Sequence, residues 1–182
     1  VRPGDYTLAR ISPDGMKVAL VVGANLVRDT LPSIWIYDLG TANLSLLTAD
    51  PEGDDGPVWA SDSRHIFFRS LRGDTNAVYS IDIETGETAL VGSSPDHPFP
   101  LPWTITPDDR TLGLISAVTV EDTNIATLSI ADSVFTPLLS DPSMSENEPS
   151  ISPNGAWLAY VEGATPGADG EINIRPFPGV TR

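Results

Sequence analysis

Short apolar runs separated by turns rich in proline and glycine fill the chain. The first complete example is the segment 11–15 (Ile-Ser-Pro-Asp-Gly), which is followed by the apolar run 16–22. Pro13 presets φ for the first central position of a type I turn, and Gly15 supplies the positive φ that closes a hairpin. The following run is apolar on both faces, as in a strand that is covered on both sides. The pattern therefore predicts two strands joined by a tight turn.

The same turn recurs three more times in altered form, at residues 59–63, 105–109 and 151–155. The position of Pro13 recurs at residues 61, 107 and 153, a period of 46 to 48 residues. Each copy leads into an apolar strand and then a further strand, and the first three copies add a fourth strand. Ser63 and Asp109 stand where other copies have glycine, and a non-glycine residue at positive φ costs about 1 kcal/mol. Four short strands at a period in the forties are typical of a β-propeller blade.

The repeat predicts an all-β fold in which residues 1–182 form one β-propeller domain of about four four-stranded antiparallel blades. The predicted blades cover residues 6–50, 51–93, 94–140 and 141–182, and the last lacks room for its fourth strand. Blades cover one another's faces, so an incomplete set leaves faces and a strand edge exposed. We therefore expect a homo-oligomer, with a dimer favoured, that completes a larger ring. A fragment of a longer propeller and a small complete monomer are the alternatives.

Composition removes several classes of function. The chain has no cysteine, which excludes disulfides and thiolate sites, and no apolar run approaches the ~20 residues needed for membrane insertion. The formal net charge of −15 argues against a nucleic-acid partner, because phosphate binding needs a basic surface. No signal peptide is visible. The sequence starts at Val1 and not at methionine, which is compatible with a trimmed start.

Particular segments resemble a known repeat family. The turn at 11–15, with 34–39 (Ile-Trp-Ile-Tyr-Asp-Leu) and 46–48 (Leu-Leu-Thr), resembles the WD-like propeller repeat of the TolB family, which also occurs in tricorn-type proteases and prolyl-oligopeptidase relatives. The segments 149–161 and 174–179 look like the propellers of bacterial receptor-type Ser/Thr kinases. The resemblance implies a scaffold or gate whose catalysis resides in another domain, and it favours a periplasmic or extracytoplasmic location.

Candidate chemistry is sparse. His65 and His97 are the only histidines, neither has a partner at metal-ligand spacing, and both are expected to be solvated loop residues. The sequence has neither a Gly-x-Ser-x-Gly nucleophile elbow nor a glycine-rich phosphate loop. The acidic run 50–55 could bind Ca²⁺ but lacks the calcium-loop pattern, so a solvated loop is favoured. No catalytic residue, metal or cofactor is predicted, and the four tryptophans are expected to pack between blades.

Negative charge is concentrated in two classes of loop, those entering each blade and those between its second and third strands. In propellers of this kind both classes lie on one face, and here they contain only two basic residues, Arg28 and Arg72. The candidate binding residues in them are Asp50, Glu52, Asp54, Asp55, Asp74, Glu121 and Asp122. The other acidic residues of these loops are Asp29, Asp96, Asp141, Glu146, Glu148, Glu162, Asp169 and Glu171. Such a face attracts basic partners; the alternative is that it only keeps the protein soluble.

These observations favour a non-catalytic β-propeller scaffold or binding module for a protein or peptide, with a basic partner fitting the acidic loops best. One alternative is the gate or sensor portion of a larger peptidase or kinase-type protein. A further alternative is a hydrolase or lyase that uses carboxylates at the ring centre, because paired acids can perform acid–base catalysis.

Overall fold

A computed structural model describes residues 6–23, 31–119, 122–163 and 170–179. These residues form fifteen β-strands arranged in four separate sheets, and they include no helix, and so none that could cross a bilayer. The chain divides into two compact units, residues 1–90 and 91–182, which are described separately below. The all-β prediction is confirmed.

The four sheets repeat one order of strands. Blade 1 consists of β1 (Tyr6–Ile11), β2 (Lys17–Val22), β3 (Ser33–Asp38) and β4 (Asn43–Leu46). Blade 2 consists of β5 (Asp54–Trp59), β6 (His65–Arg72), β7 (Thr75–Asp82) and β8 (Thr88–Gly92). Blade 3 consists of β9 (Phe99–Ile105), β10 (Thr111–Thr119), β11 (Asp122–Ser129) and β12 (Val134–Leu139). Blade 4 consists of β13 (Ser145–Ile151), β14 (Trp157–Gly163) and β15 (Glu171–Pro176).

Each sheet lies inside its predicted segment, and the last has three strands, as predicted from the repeat. Consecutive strands pair in antiparallel register, for example Lys17 with Asp38 in blade 1 and Trp157 with Pro176 in blade 4. Strand ends differ from the predicted apolar runs by a few residues; β6, for example, contains the run 66–68 and extends to Arg72. The extension follows from the long β6–β7 hairpin, in which pairing continues to Arg72 and Thr75.

The turn between the first two strands is held by its own side chains. The Asp14 carboxylate accepts hydrogen bonds from the Ser12 hydroxyl (2.6 Å) and the main-chain N–H of Met16 (2.9 Å). The turn's closing position has a positive φ in both glycine and non-glycine copies: 71° at Gly15, 58° at Ser63 and 56° at Asp109. Ser63 and Asp109 therefore keep the left-handed conformation of the glycine copies and carry its strain.

The core of the first unit lies between blades 1 and 2. Trp59 and Phe68 of blade 2 belong to one buried cluster with Ala19, Ile34 and Ile36 of blade 1. Because the Trp59 indole N–H would otherwise be buried without an acceptor, its hydrogen bond of 2.9 Å to the main-chain carbonyl of Arg10 satisfies it and fixes the ring's orientation. Packing between blades is thus confirmed for Trp59.

The core of the second unit lies between blades 3 and 4. Ile125 and Leu139 form a buried cluster with Ile151, Leu158 and Tyr160. The main-chain N–H of Ile151 also donates to the Thr104 hydroxyl at 3.2 Å, which links the first strands of the two blades. Trp157 lies on the other side of its sheet and is 49% exposed, and its packing between blades stays a prediction.

Candidate functional site: the acidic loops

The acidic loop that enters blade 2 is folded onto itself. The Asp50 carboxylate accepts the N–H of Glu52 (3.0 Å), and the Asp50 carbonyl accepts the N–H of Gly53 (3.1 Å). Pro51 suits the first central position of this turn, and Gly53 has a φ of 91°, which glycine adopts without strain. The Asp54 carboxylate accepts the main-chain N–H of Asp50 at 3.2 Å. The loop is therefore ordered by its own aspartates.

Asp54 is completely buried, although its sequence context suggested an exposed carboxylate. Arg72, at the end of β6, accounts for this burial. Its guanidinium lies 3.5 Å from Asp54 and 3.4 Å from Asp50, and it packs over the Tyr79 and Phe68 rings at 4.9 and 5.6 Å. A buried carboxylate needs a cation and hydrogen bonds to offset its desolvation. The Asp50 N–H donates to Oδ2, whereas Oδ1 accepts no hydrogen bond from the described residues and is offset by the charge of Arg72. Two of the predicted binding residues are thus bonded within the loop.

Three other predicted residues of blade 2 are more accessible. Glu52 and Asp74 are exposed, and Asp55 is half-buried with its carboxylate accepting the N–H of Gly56 at 2.7 Å. Asp74 has a φ of 63° in the β6–β7 turn, a conformation that aspartate tolerates better than most residues. Since β5 begins where β6 ends, the loop that enters blade 2 and this turn lie at the same end of the sheet.

The loop that enters blade 4 repeats this arrangement in the second unit. The Asp141 carboxylate accepts the N–H of Ser143 (3.0 Å), and the Glu146 carboxylate accepts the N–H of Asp141 (3.2 Å). Glu146 is 1% exposed, so it matches Asp54 in burial as well as in bonding. Reading the blades in register could have found the pair, because Asp54 and Glu146 both lie five positions before the last residue of the first strand, Trp59 or Ile151.

The two remaining predicted residues lie at the hairpin of blade 3. Asp122 begins β11, where its main chain pairs with Thr119. Glu121 lies outside the described residues.

His97 corrects the expectation of a solvated loop histidine. It is 8% exposed, its Nδ1 lies 2.7 Å from the Ser116 hydroxyl, and its ring stacks on Phe135 at 5.3 Å. Burial lowers the pKa of His97, and the charge of Asp96 opposes this only in part. The apolar neighbour Phe135 lies far along the chain, so the loop sequence alone gave no sign of it. His65 is partly exposed, as expected, and its ring pairs with Asp62 at 2.6 Å.

The opposite end of blade 2 combines both signs of charge. Arg64 donates two hydrogen bonds to Asp82, which also accepts the N–H groups of Glu84 (2.8 Å) and Thr85 (3.2 Å). The hydrogen bonds from Arg64 hold the pKa of Asp82 far below its usual range. Both ends of blade 2 therefore carry more acidic than basic side chains.

Two further features bear on the chemistry that the described residues can support. Over the described ranges, no three histidine or acidic side chains come close enough together to hold a metal ion. In the second unit, a groove of about 780 Å³ runs along the turn side of blades 3 and 4. Its lining combines hydroxyls, such as those of Thr127 and Thr136, with the apolar Leu138 and Phe177.

The repeated four-stranded sheets, with packed cores between successive blades in each unit, define the class of protein as a β-propeller. The chain belongs to the TolB beta propeller domain family, whose model matches residues 3–170. The resemblance to the TolB repeat is thereby confirmed. No curated protein sequence is significantly similar to the chain.

Similar solved structures include TolB itself and propeller-containing enzymes. TolB from Acinetobacter baumannii is 18% identical with a TM-score of 0.74, over 95% of this chain and 41% of that one. An oligogalacturonate lyase from Vibrio parahaemolyticus is 16% identical with a TM-score of 0.67, over 99% and 53%. A puromycin-hydrolyzing peptidase from Mycobacterium tuberculosis is 11% identical with a TM-score of 0.70, over 97% and 28%. The chain thus spans less than two thirds of each of these proteins, and the likeness concerns the fold.

Proposed function

We propose that the chain is the propeller portion of a TolB-like protein and that it binds a basic protein or peptide segment, without covalent chemistry, through the acidic loops. The observation that carries the proposal is that exposed Glu52 and Asp74 lie at one end of blade 2, beside half-buried Asp55. Arg72 is bonded to Asp50 and Asp54, so it does little to neutralise the exposed carboxylates. Negative potential of this kind attracts and orients cationic partners.

The same proposal covers the loops of the second unit. Asp96 is exposed in the loop entering blade 3, Glu148 is exposed within β13 of blade 4, and Glu121 and Asp122 belong to the hairpin of blade 3. We therefore place Glu121 and Asp122 with Glu52, Asp55 and Asp74 as binding residues. Asp50 and Asp54 have a different part, which is to hold the loop that presents Glu52.

A labelled decalysine peptide tests the proposal. We expect its affinity to fall steeply as salt rises from about 25 to 200 mM, because exposed charges are screened over this range. Replacing both Glu52→Gln and Asp74→Asn should weaken binding about threefold, since each exposed charge contributes a fraction of a kcal/mol. Fluorescence anisotropy measures both effects.

The matched control is the pair Glu84→Gln and Glu87→Gln, which removes two exposed charges at the opposite end of the same sheet. This control should bind the peptide as the wild type does. Binding that is insensitive to salt, or an equal loss in the control, contradicts a role for the acidic loops.

A second candidate is a gate or sensor propeller within a larger enzyme. Its support is the similarity to the puromycin-hydrolyzing peptidase, of which this chain spans 28%. Sequencing the flanking reading frame tests it: an adjoining peptidase or kinase domain supports this candidate, and a frame without one contradicts it. Neither result alters the peptide-binding test.

A further inference from the structure

The fourth copy of the tight turn differs from the other three at one acidic position. Asn154 stands where each of the first three copies has an aspartate, namely Asp14, Asp62 and Asp108. Asn154 is also the only asparagine in the sequence that is followed by a glycine, Gly155. The other asparagines precede leucine, isoleucine, alanine or glutamate. The fourth turn therefore places a side-chain amide next to a main-chain nitrogen that no side chain of its own residue shields.

The Asn154 side chain makes the same two hydrogen bonds as the aspartate of the first turn. Its Oδ1 accepts the Ser152 hydroxyl at 2.7 Å and the main-chain N–H of Ala156 at 3.1 Å. In the first turn the Asp14 carboxylate accepts the corresponding donors, the Ser12 hydroxyl and the main-chain N–H two residues ahead. The Asn154 amide thus occupies a place that holds a carboxylate in the other copies.

The donors at this position favour a charged acceptor. Hydrogen bonds from the Ser12 hydroxyl and the Met16 N–H lower the pKa of Asp14. The Thr106 hydroxyl lowers the pKa of Asp108 in the third turn in the same way. Because hydrogen bonds to the charged form stabilise it, the same pair of donors in the fourth turn suits an aspartate as well as an asparagine.

The position stays exposed where a following blade is present. The first turn contacts the second, since the main-chain N–H of Asp14 donates to the Ser63 hydroxyl at 3.0 Å. Asp14 is nevertheless exposed, and so are Asp62, Asp108 and Asn154. The exposure of Asn154 is therefore a property of its place in the turn, and water reaches its side chain in the folded protein.

We propose that Asn154 is a deamidation site and that its aspartate product takes the place in the fourth turn that aspartates hold in the other three. The main-chain nitrogen of Gly155 attacks the Asn154 Cγ, so that an N–Cγ bond forms and the Cγ–Nδ2 bond breaks. Nδ2 leaves as ammonia with the proton that the Gly155 nitrogen gives up, and a succinimide ring remains. Water then opens the ring. Cleavage of the N–Cγ bond gives aspartate, and cleavage of the bond between this nitrogen and the main-chain carbonyl carbon gives isoaspartate.

The turn has to open before this reaction takes place. In the closed turn the Gly155 N–H donates to the Ser152 carbonyl at 2.8 Å, and the Asn154 Oδ1 is held by its two donors. Local opening frees the Gly155 nitrogen to reach Cγ. Afterwards an aspartate offers an oxygen to both donors as the turn closes, whereas isoaspartate lengthens the main chain inside the turn and disrupts the Gly155 hydrogen bond. The modification does not depend on the peptide-binding function.

The test is incubation of the folded protein in mildly alkaline buffer, followed by peptide mapping with mass spectrometry. We expect Asn154 to convert to aspartate and isoaspartate, whereas Asn43, which is exposed but precedes Leu44, should remain intact. Ser152→Ala should convert about fivefold faster, because the loss of a hydrogen bond to Oδ1 raises the population of the open turn. Ser152→Thr, which retains a hydroxyl as Thr106 does in the third turn, should convert at the rate of the wild type.

Ser12→Ala is the matched control, because it removes the corresponding hydroxyl from the first turn and should leave the rate at Asn154 unchanged. Asn154→Asp tests the fate of the product: its midpoint in urea should be at least that of the wild type. Circular dichroism verifies that each variant is folded. The comparison of Asn154 with Asn43 needs no variant, so it tests the proposal even if Ser152→Ala does not fold.

Several results would overturn the proposal. Asn154 that stays intact in the folded wild type while it converts in urea would show that the closed turn prevents the reaction. An unchanged rate in Ser152→Ala, or an equal increase in Ser12→Ala, would show that opening of the fourth turn does not control it. A lower urea midpoint in Asn154→Asp would show that the fourth turn does not accept a carboxylate.

Discussion

Asp54 and Glu146 occupy the same position in two blades, and both of these acidic residues are buried. Each carboxylate accepts a hydrogen bond, 3.2 Å long, from the main-chain N–H of the aspartate that begins its loop, Asp50 or Asp141. Each acid thus connects the loop to the first strand of its blade. These two carboxylates shape the acidic loops and are not part of their exposed surface.

Replacing Asp54 with alanine should lower the free energy of unfolding by about 2 kcal/mol, because Arg72 and the Asp50 N–H lose a buried partner. Asp54→Asn, which retains an acceptor oxygen, should cost less. Urea denaturation measures both. The double variant Asp54→Ala with Arg72→Met should lose less than the sum of the single losses, since the two residues interact directly. Strictly additive losses would contradict the ion pair.

Asp82 should make the protein sensitive to acid. Hydrogen bonds from Arg64 lower its pKa in the folded state, so its contribution to stability is present above the unfolded pKa of about 4 and is lost as pH falls below it. Asp82→Asn should therefore flatten the decline in urea midpoint between about pH 5 and pH 2. Asp132→Asn, which changes an exposed aspartate, is the control. An unchanged pH profile in Asp82→Asn would rule out this role.

His97 should act on stability in a higher pH range. Burial lowers its pKa in the folded state, so the unfolded chain binds more protons near pH 6 and stability rises between about pH 5 and pH 7. His97→Asn should reduce this rise, and urea midpoints across the range measure it. His65→Asn is the control, because His65 is partly exposed. A rise that persists in His97→Asn would assign the effect to another group.

One turn position combines strain with bonding. Ser63 has a φ of 58°, and its hydroxyl accepts the N–H of Asp14 at 3.0 Å. Ser63→Ala should lower the free energy of unfolding by about 1 kcal/mol, because the hydrogen bond is lost and the left-handed strain stays. Ser63→Gly should lose less, because glycine adopts this φ without strain. Thermal unfolding compares the two variants, and a larger loss in Ser63→Gly would contradict this account.

The strands and turns could be predicted because their causes are local. The turn at 11–15 and its copies specify a φ value at Gly15, Ser63 and Asp109 through residues only a few positions apart. The missing fourth strand of the last blade followed from counting residues against the repeat. These features depend on alternation, turn chemistry and length, all of which a single sequence displays.

The exposure of individual side chains could not be predicted in the same way, because it depends on distant partners. Asp54 is buried because Arg72 reaches it from the end of β6, and His97 is buried against Phe135 of β12. Trp157 is 49% exposed on its side of blade 4, whereas Trp59 is buried against blade 1. An acidic or aromatic residue in a loop or strand has the same sequence signature in either environment.

Two hydrogen bonds join blades 1 and 2. The indole of Trp59 bonds to the Arg10 carbonyl, and the Ser63 hydroxyl accepts the Asp14 N–H, so each sheet supplies one donor and one acceptor to the other. Because each sheet supplies one donor and one acceptor, a gene duplication that adds a blade also adds that blade's share of the contact with its neighbour. Such an array can gain a blade by duplication without a new kind of contact between blades.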